Sequence, residues 1–391
     1  MPDAMLKRAI REHFTKLGFT KGADGLLQLP GSDKDDVRRL HAGQRDERIA
    51  SSKPFIERNL GRLLNHFADG ADIEPEKISL RLIRVKSDTW QSNLFRLASL
   101  TWSVPVSSGF GRRMRYLVWD DGHDRLAGLI ALGDPVFNLR VRDNLIGWSV
   151  GDREDRLVGI MDAYVLGAIP PYSMLLGGKA VACLVRSRDI LNDFGESYGS
   201  SVGIISGKAK SASLLAVTTS SSMGRSSVYN RLKLSGESYF MPIGYTQGWG
   251  HFHITEQLFS HMRTFLRLRD HHYADQHEYG GGPNWRLRTI KAALVELGVS
   301  ESVLRHGIRR EVFIAQMATN SFEILRNGKG VPNTAALSTV EEISRKAVDR
   351  WMIPRALRST DFRQWRRSNL QELLAPRTET NDGYIEAARF S

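Results

Sequence analysis

The chain has 391 residues, more than one compact core holds, and suits two or three lobes. Its net charge of +12 points to an anionic partner, nucleic acid or an acidic membrane surface, although the same arginines also serve solubility. The one cysteine, Cys183, rules out an intrachain disulfide and a cysteine-rich zinc site. No apolar run reaches membrane-span length, and residues 1–8 lack the apolar stretch of a secretory signal, so no membrane partner and a cytoplasmic location are expected.

In chain order, Met5, Ile10, Phe14 and Leu17 recur at helical spacing, and Gly18 and Gly22 stop that helix. Residues 26–30 read as a short strand. Ser32, Asp35 and Asp36 open a second helix whose acids suit the helix dipole, and a further helix covers about 54–67. Small DNA-binding lobes share this order, and so do plain helical caps. Leu80, Leu82, Ile83 and Val85 are strand material, and residues 93–101 a short helix. Residues 114–119 and 125–132, joined by the Asp-rich, Gly-containing turn 120–124, are the strongest hairpin signal in the chain. The turn explains its acids better than a metal does.

Further on, residues 153–161 predict a helix, and 163–169 a buried strand stopped by Pro170 and Pro171. A turn over 173–179 feeds a helix over 180–192, with a loop at 195–207. A second buried strand covers 214–219, a short helix 225–232, and a closing strand 238–245. From 254 to about 365 the chain reads as mostly helical, with a polar tail after Pro376. The domains expected are a helical N-terminal lobe (1–75), an α/β core (76–253), a helical basic C-terminal region (254–375) and the tail (376–391).

This order of hairpin, glycine turn before a helix, buried strand, tyrosine segment and closing strand resembles the GNAT-like N-acetyltransferase fold. The class is α/β (α+β), a mixed sheet core flanked by helical lobes. The resemblance implies acetyl-CoA or a related acyl donor, its pyrophosphate held by backbone N–H groups at Gly177, Gly178 and Ala180, with Lys179 as phosphate partner. The family pattern begins with Gln or Arg, where this chain has Leu175. Tyr229 falls where family members carry the tyrosine that protonates the departing thiolate. A phenol suits that role because its pKa lies above the thiol's. Packing of Tyr229 against the sheet is the other reading. Asp162 and Tyr164 share one strand face and suit the lining of an acceptor cleft.

Longer stretches are more specific. Leu94-Phe95-Arg96-Leu97-Ala98, Trp102-Ser103-Val104-Pro105-Val106, Met161-Asp162-Ala163-Tyr164-Val165, Gly248-Trp249-Gly250-His251-Phe252-His253 and Gly282-Pro283-Asn284-Trp285-Arg286 resemble the Druantia anti-phage defence protein A family. The resemblance covers about residues 90–315. It implies a bacterial protein encoded with other defence proteins, often beside a large helicase, and it brings no settled reaction.

Several groups remain open. His251 and His253 lie two apart with Glu256 following, a set that suits a divalent metal, a general base, or simple capping of the next helix. His271, His272, Asp275, His277 and Glu278 form a second polar cluster, followed by the hinge-like run 280–283. Arg112 and Arg113, then Trp285, Arg286 and Arg288, then Arg309 and Arg310, suit a phosphate track with a stacking platform, or a solvated face. Three functions follow: an acyltransferase-like enzyme modifying a base or amine, a metal-dependent DNA nuclease, and a non-catalytic DNA-binding scaffold for a helicase.

Overall fold

A computed structural model describes residues 2–22, 27–29, 33–106, 111–202, 209–275 and 285–375. His277, Glu278, the run 280–283 and the tail after Pro376 lie outside the described residues. The class is mixed α/β, as expected. Its centre is a seven-stranded sheet built from β1 (Leu80–Arg84), β2 (Arg113–Asp120), β3 (Arg125–Gly133), β4 (Ile160–Ala168), β5 (Ala216–Ser220), β6 (Met241–Tyr245) and β7 (Glu311–Gln316). The spatial order is β1-β2-β3-β4-β5-β7-β6. All neighbours are antiparallel except β4 and β5, which run parallel.

The β2–β3 hairpin forms where the Asp-Gly turn predicts it. Asp120 is fully buried there and accepts from the Ser79 and Gly122 backbone N–H groups at 2.9 and 3.1 Å. It also accepts from the Tyr172 hydroxyl at 2.8 Å and contacts His123 Nδ1 at 2.6 Å. Alternate residues of these strands face opposite layers. Tyr116, Val118 and Ile130 pack with α6 (Gly177–Leu184) and α11 (Val340–Ala347), whereas Leu117, Trp119 and Leu129 pack with α3 (Trp90–Leu100).

Two helices were expected between residues 32 and 67, but one long helix, α2 (Lys34–Leu63), runs through Pro54. Asp33 caps it, accepting from the Asp35 and Asp36 N–H groups. Its first turns pack, through Val37 and Leu40, with α1 (Asp3–Lys16), α8 (Glu256–Arg267) and α9 (Trp285–Glu296). Its second half packs, through Ile49, Phe55 and Ile56, with the α3 face of the sheet. One helix thus ties the N-terminal segment to both the C-terminal helices and the core.

Other expected helical stretches differ as well. The one helix expected over 180–192 is two, α6 and a helix over Arg188–Tyr198. The helix near 153 is shorter: α5 (Val150–Arg156) ends early, and Ile160 and Met161 belong to β4. Residues 225–232 form turns, because the Ser226 hydroxyl accepts from the Val228 and Tyr229 N–H groups at 3.1 and 3.0 Å and competes with helical bonding. Within the region expected to be helical, Glu311–Gln316 is a buried strand between β5 and β6. Its continuous run Val312-Phe313-Ile314 suits a strand covered on both faces.

A buried ionic clamp closes the segment between β3 and β4. Arg142, fully buried, donates to the Asp143 carboxylate at 2.7 Å and to the Val136 and Phe137 carbonyls at 2.9 Å. Arg153 donates to the other Asp143 oxygen at 2.7 Å. Removing one partner of a buried pair leaves an uncompensated charge, so Asp143→Ala is expected to destabilise the fold by about 3 kcal/mol. Glu12→Ala, which breaks an exposed pair with Arg8, should leave the urea midpoint unchanged. Equal midpoints for the two variants would refute the clamp.

Candidate functional site

β4 and β5 pair only over Ile160–Asp162 and Ala216–Thr218. Beyond that point β4 still pairs with β3, and β5 with β7, yet the two no longer pair with each other. A cavity of about 410 Å³ lies there. Its wall includes Asp162, Tyr164, Gly178 and Tyr229, together with Arg38 and Arg310.

Asp162 sits at the last paired position of β4, and its carboxylate accepts from the Thr218 hydroxyl at 2.7 Å. Burial pushes its pKa up to about 6, against the Thr218 hydrogen bond and the buried Arg142 charge, which lower it. A carboxyl poised there can take a proton near neutral pH.

Tyr229 is held by the Ser226 turn. The Ser226 N–H donates to the Glu311 carboxylate at 3.0 Å, so the first residue of β7 anchors the segment. The Tyr229 ring packs against Phe240 and Phe313, and its hydroxyl donates to the Leu166 carbonyl at 3.0 Å. Burial raises its pKa above the ordinary phenol value, and the Asp162 charge raises it further. The packing and chemical readings of Tyr229 coexist: the ring is in the core and the hydroxyl meets the cavity wall.

The glycine turn reaches the same cavity through Gly178. A Cβ on Gly177 would stand 2.5 Å from the Tyr172 carbonyl oxygen, so that position admits only glycine without a shift. A Cβ on Gly178 would meet the Val228 side chain at 3.7 Å. Ala180 is buried in the core, and the Lys179 ammonium lies 5.9 Å from the Trp351 ring, outside the cavity wall.

The histidines expected to act here lie elsewhere. His253 is buried among the helices, its Nε2 2.9 Å from the Val303 carbonyl and its ring beside Phe14 and Phe19. His251 is half-buried beside it, and Glu256 is exposed and pairs with Arg286. Among the described residues no three His, Cys, Asp or Glu side chains converge in a way that could hold a metal.

The expected phosphate track is dispersed too. Arg112 donates to Asp134 and to the Val158 and Ile160 carbonyls. Trp285 packs edge-on against Phe259, and Arg286 also bonds the Ile254 carbonyl. Arg113, Arg288 and Arg309 are exposed, and Arg310 faces the cavity.

Lys34, Arg38, Arg45 and Trp102 also line the cavity, and the sequence reading missed them. The available signal was Arg38, His41 and Arg45, polar residues three, four and seven apart on the buried stripe of a helix. His41 stacks on Phe252 at 4.2 Å, and Phe252 meets the His306 ring at 4.7 Å.

Fold and site together define a mixed α/β protein with a basic cavity at the parting of two parallel strands. Among the described residues no helix is long and apolar enough to cross a membrane. A family model described as Druantia protein DruA matches residues 31–327, and the chain belongs to that family. A relative from Escherichia coli (strain UMEA 4076-1), Druantia protein DruA, is 57% identical over 373 residues, covering 95% of this chain and 92% of its own. No solved structure matches the chain significantly.

Burial lowers the pKa of His41 and His306 to about 3 and of His251 and His253 to about 4. Folded imidazoles refuse protons that unfolded ones bind below about pH 6.5. Stability is therefore full above that value and falls as pH drops from about 6.5 toward 4. Calorimetric melting points from pH 7.5 to 4.5 should trace this fall, with a shallower slope in His306→Gln. A wild-type melting point that stays flat from pH 7 to 5 contradicts the assignment.

Proposed function

We propose that this chain is an anti-phage defence component whose sheet core is an acyltransferase-like unit acting on, or bound to, nucleic acid. The observation that carries the reading is the convergence of Asp162, Tyr229 and Gly178 on one basic cavity where β4 and β5 stop pairing. The strand order, with its single parallel pair at the centre, supports the GNAT-like resemblance. The 57% identical relative, named as a Druantia protein, supports a place in a defence system.

The donor set fits an anionic acyl donor such as acetyl-CoA. Arginines line the cavity, and the β4 backbone beyond Asp162 has no strand partner on the β5 side. Lys179 has no part in that fit. When bound, the donor supplies an activated acyl thioester. Asp162, ionised above about pH 6, takes a proton from an acceptor amine. Tyr229, its phenol kept protonated by burial, gives a proton to the departing thiolate. The exocyclic amine of an unstacked base is an acceptor of the right kind, and a helicase partner in the cytoplasm supplies unpaired strands.

A second reading, a non-catalytic DNA-binding scaffold, draws on Val228, whose side chain lies against Gly178 where a donor would approach.

Calorimetric titration with acetyl-CoA separates the two. The transferase reading expects binding that is lost in Gly178→Asp. It also expects a rate that rises with pH through about 6 and drops by at least about a hundredfold in Asp162→Asn. A wild-type protein that ignores the coenzyme yet binds DNA with salt-dependent affinity sinks the transferase reading and leaves a metal-dependent nuclease or the scaffold.

A further inference from the structure

We infer that Arg38 and Arg310 form a phosphate-binding subsite in the cavity wall, which takes the phosphate of a nucleotide. This deepens the reading of the cavity as a ligand site and does not depend on acyl transfer.

Arg310 directly precedes β7 and is half-buried in the cavity wall, with its Nε buried. Its Nη2 lies 3.3 Å from the His41 ring nitrogen, and its Nε has no partner among the described residues. Phe252 covers it at 5.5 Å. Among the described residues no ion pair joins it to the neighbouring Glu311 carboxylate, which accepts from the Ser226 N–H. His41 is neutral, since burial and the Arg310 charge hold its pKa down to about 3. A guanidinium held partly out of water without a counter-ion is unfavourable, and an anion in the cavity relieves that cost.

Arg38 lies one turn before His41 on α2 and is 7% exposed. One arm donates to Asp35 at 2.6 Å, whereas its buried Nε has no partner among the described residues. The cavity lining carries Lys34, Arg38, Arg45, Arg225 and Arg310 against the carboxylate of Asp162. Guanidinium forks match phosphate oxygens in geometry as well as charge. Trp102, in the same lining, offers an aromatic face for a base. The site is distinct from the glycine turn, because α2 and the residue before β7 build it.

The phosphate has two sources, the nucleotide end of a coenzyme or a nucleic-acid strand. The test uses the full-length protein and inorganic pyrophosphate, with sodium chloride at matched ionic strength as reference. Pyrophosphate should raise the melting point beyond the salt control, and R310Q and R38Q should each weaken its calorimetric affinity on the order of tenfold. D162N should lose acyl transfer without weakened pyrophosphate binding, which separates this site from the catalytic reading. Titration of R310Q with acetyl-CoA and with a 5′-phosphorylated oligonucleotide then assigns the source to whichever ligand loses affinity. No stabilisation of the wild type beyond salt overturns the subsite, and so does full pyrophosphate affinity in both variants. If R310Q fails to fold, the wild-type titration and R38Q still decide.

Discussion

The site depends on how briefly β4 and β5 pair. Parallel neighbours normally share a ladder along their length, but here it ends at Asp162 and Thr218. Side chains take over part of the backbone's work beyond that point. The Thr219 hydroxyl donates to the Ala163 carbonyl at 2.9 Å, and the Tyr229 hydroxyl serves Leu166. The gap remains usable because β7 anchors what lies across it. The Ser221 N–H donates to the Glu311 carbonyl at 2.8 Å, while the Glu311 carboxylate holds Ser226. One residue at the start of one strand thus fixes both the end of β5 and the loop that carries Tyr229.

The long helix α2 supplies what the sheet lacks. Its apolar stripe is divided between two clusters, so it spans from the helical lobe to the α3 face of the core. That span carries Arg38, His41 and Arg45 to the cavity and the Phe252 cluster, with Arg45 donating to the Leu373 carbonyl. Burying so many polar groups is unfavourable in itself, and the neighbouring apolar contacts offset it. The neutral histidines and the arginines are coupled for the same reason: burial that keeps the imidazoles uncharged leaves the guanidinium charge of Arg310 without a matching anion.

Much of the core was legible in the chain. The Asp-Gly turn marks β2 and β3, and the apolar run before Pro170 marks β4, since each signal is local and acts through backbone geometry; the glycines at 177 and 178, read as a turn ahead of a helix at 180, are the first residues of α6 itself. Asp162, Gly178 and Tyr229, singled out one by one in the sequence, line one cavity, whereas Gly177, Lys179 and Ala180 are not part of its wall. The histidines of 251–253 were misplaced because spacing along an extended segment reports which side a residue faces, not what packs there. Aromatic rings from α1 and α2 fill that space. β7 was missed because it is short and set among helices, and an apolar run of that length has no period that separates strand from helix.

By itself the sequence determined the class, the central strands, the glycine turn and the basic excess, all of which follow from residue type and local period. Only the tertiary structure decided that β7 enters the sheet between β5 and β6, that α2 is one rod, and that Arg310 meets His41 at a cavity whose wall also includes Arg38. Those pairings join residues far apart in the chain. They are settled by which buried surfaces fit together, a property that no single segment carries.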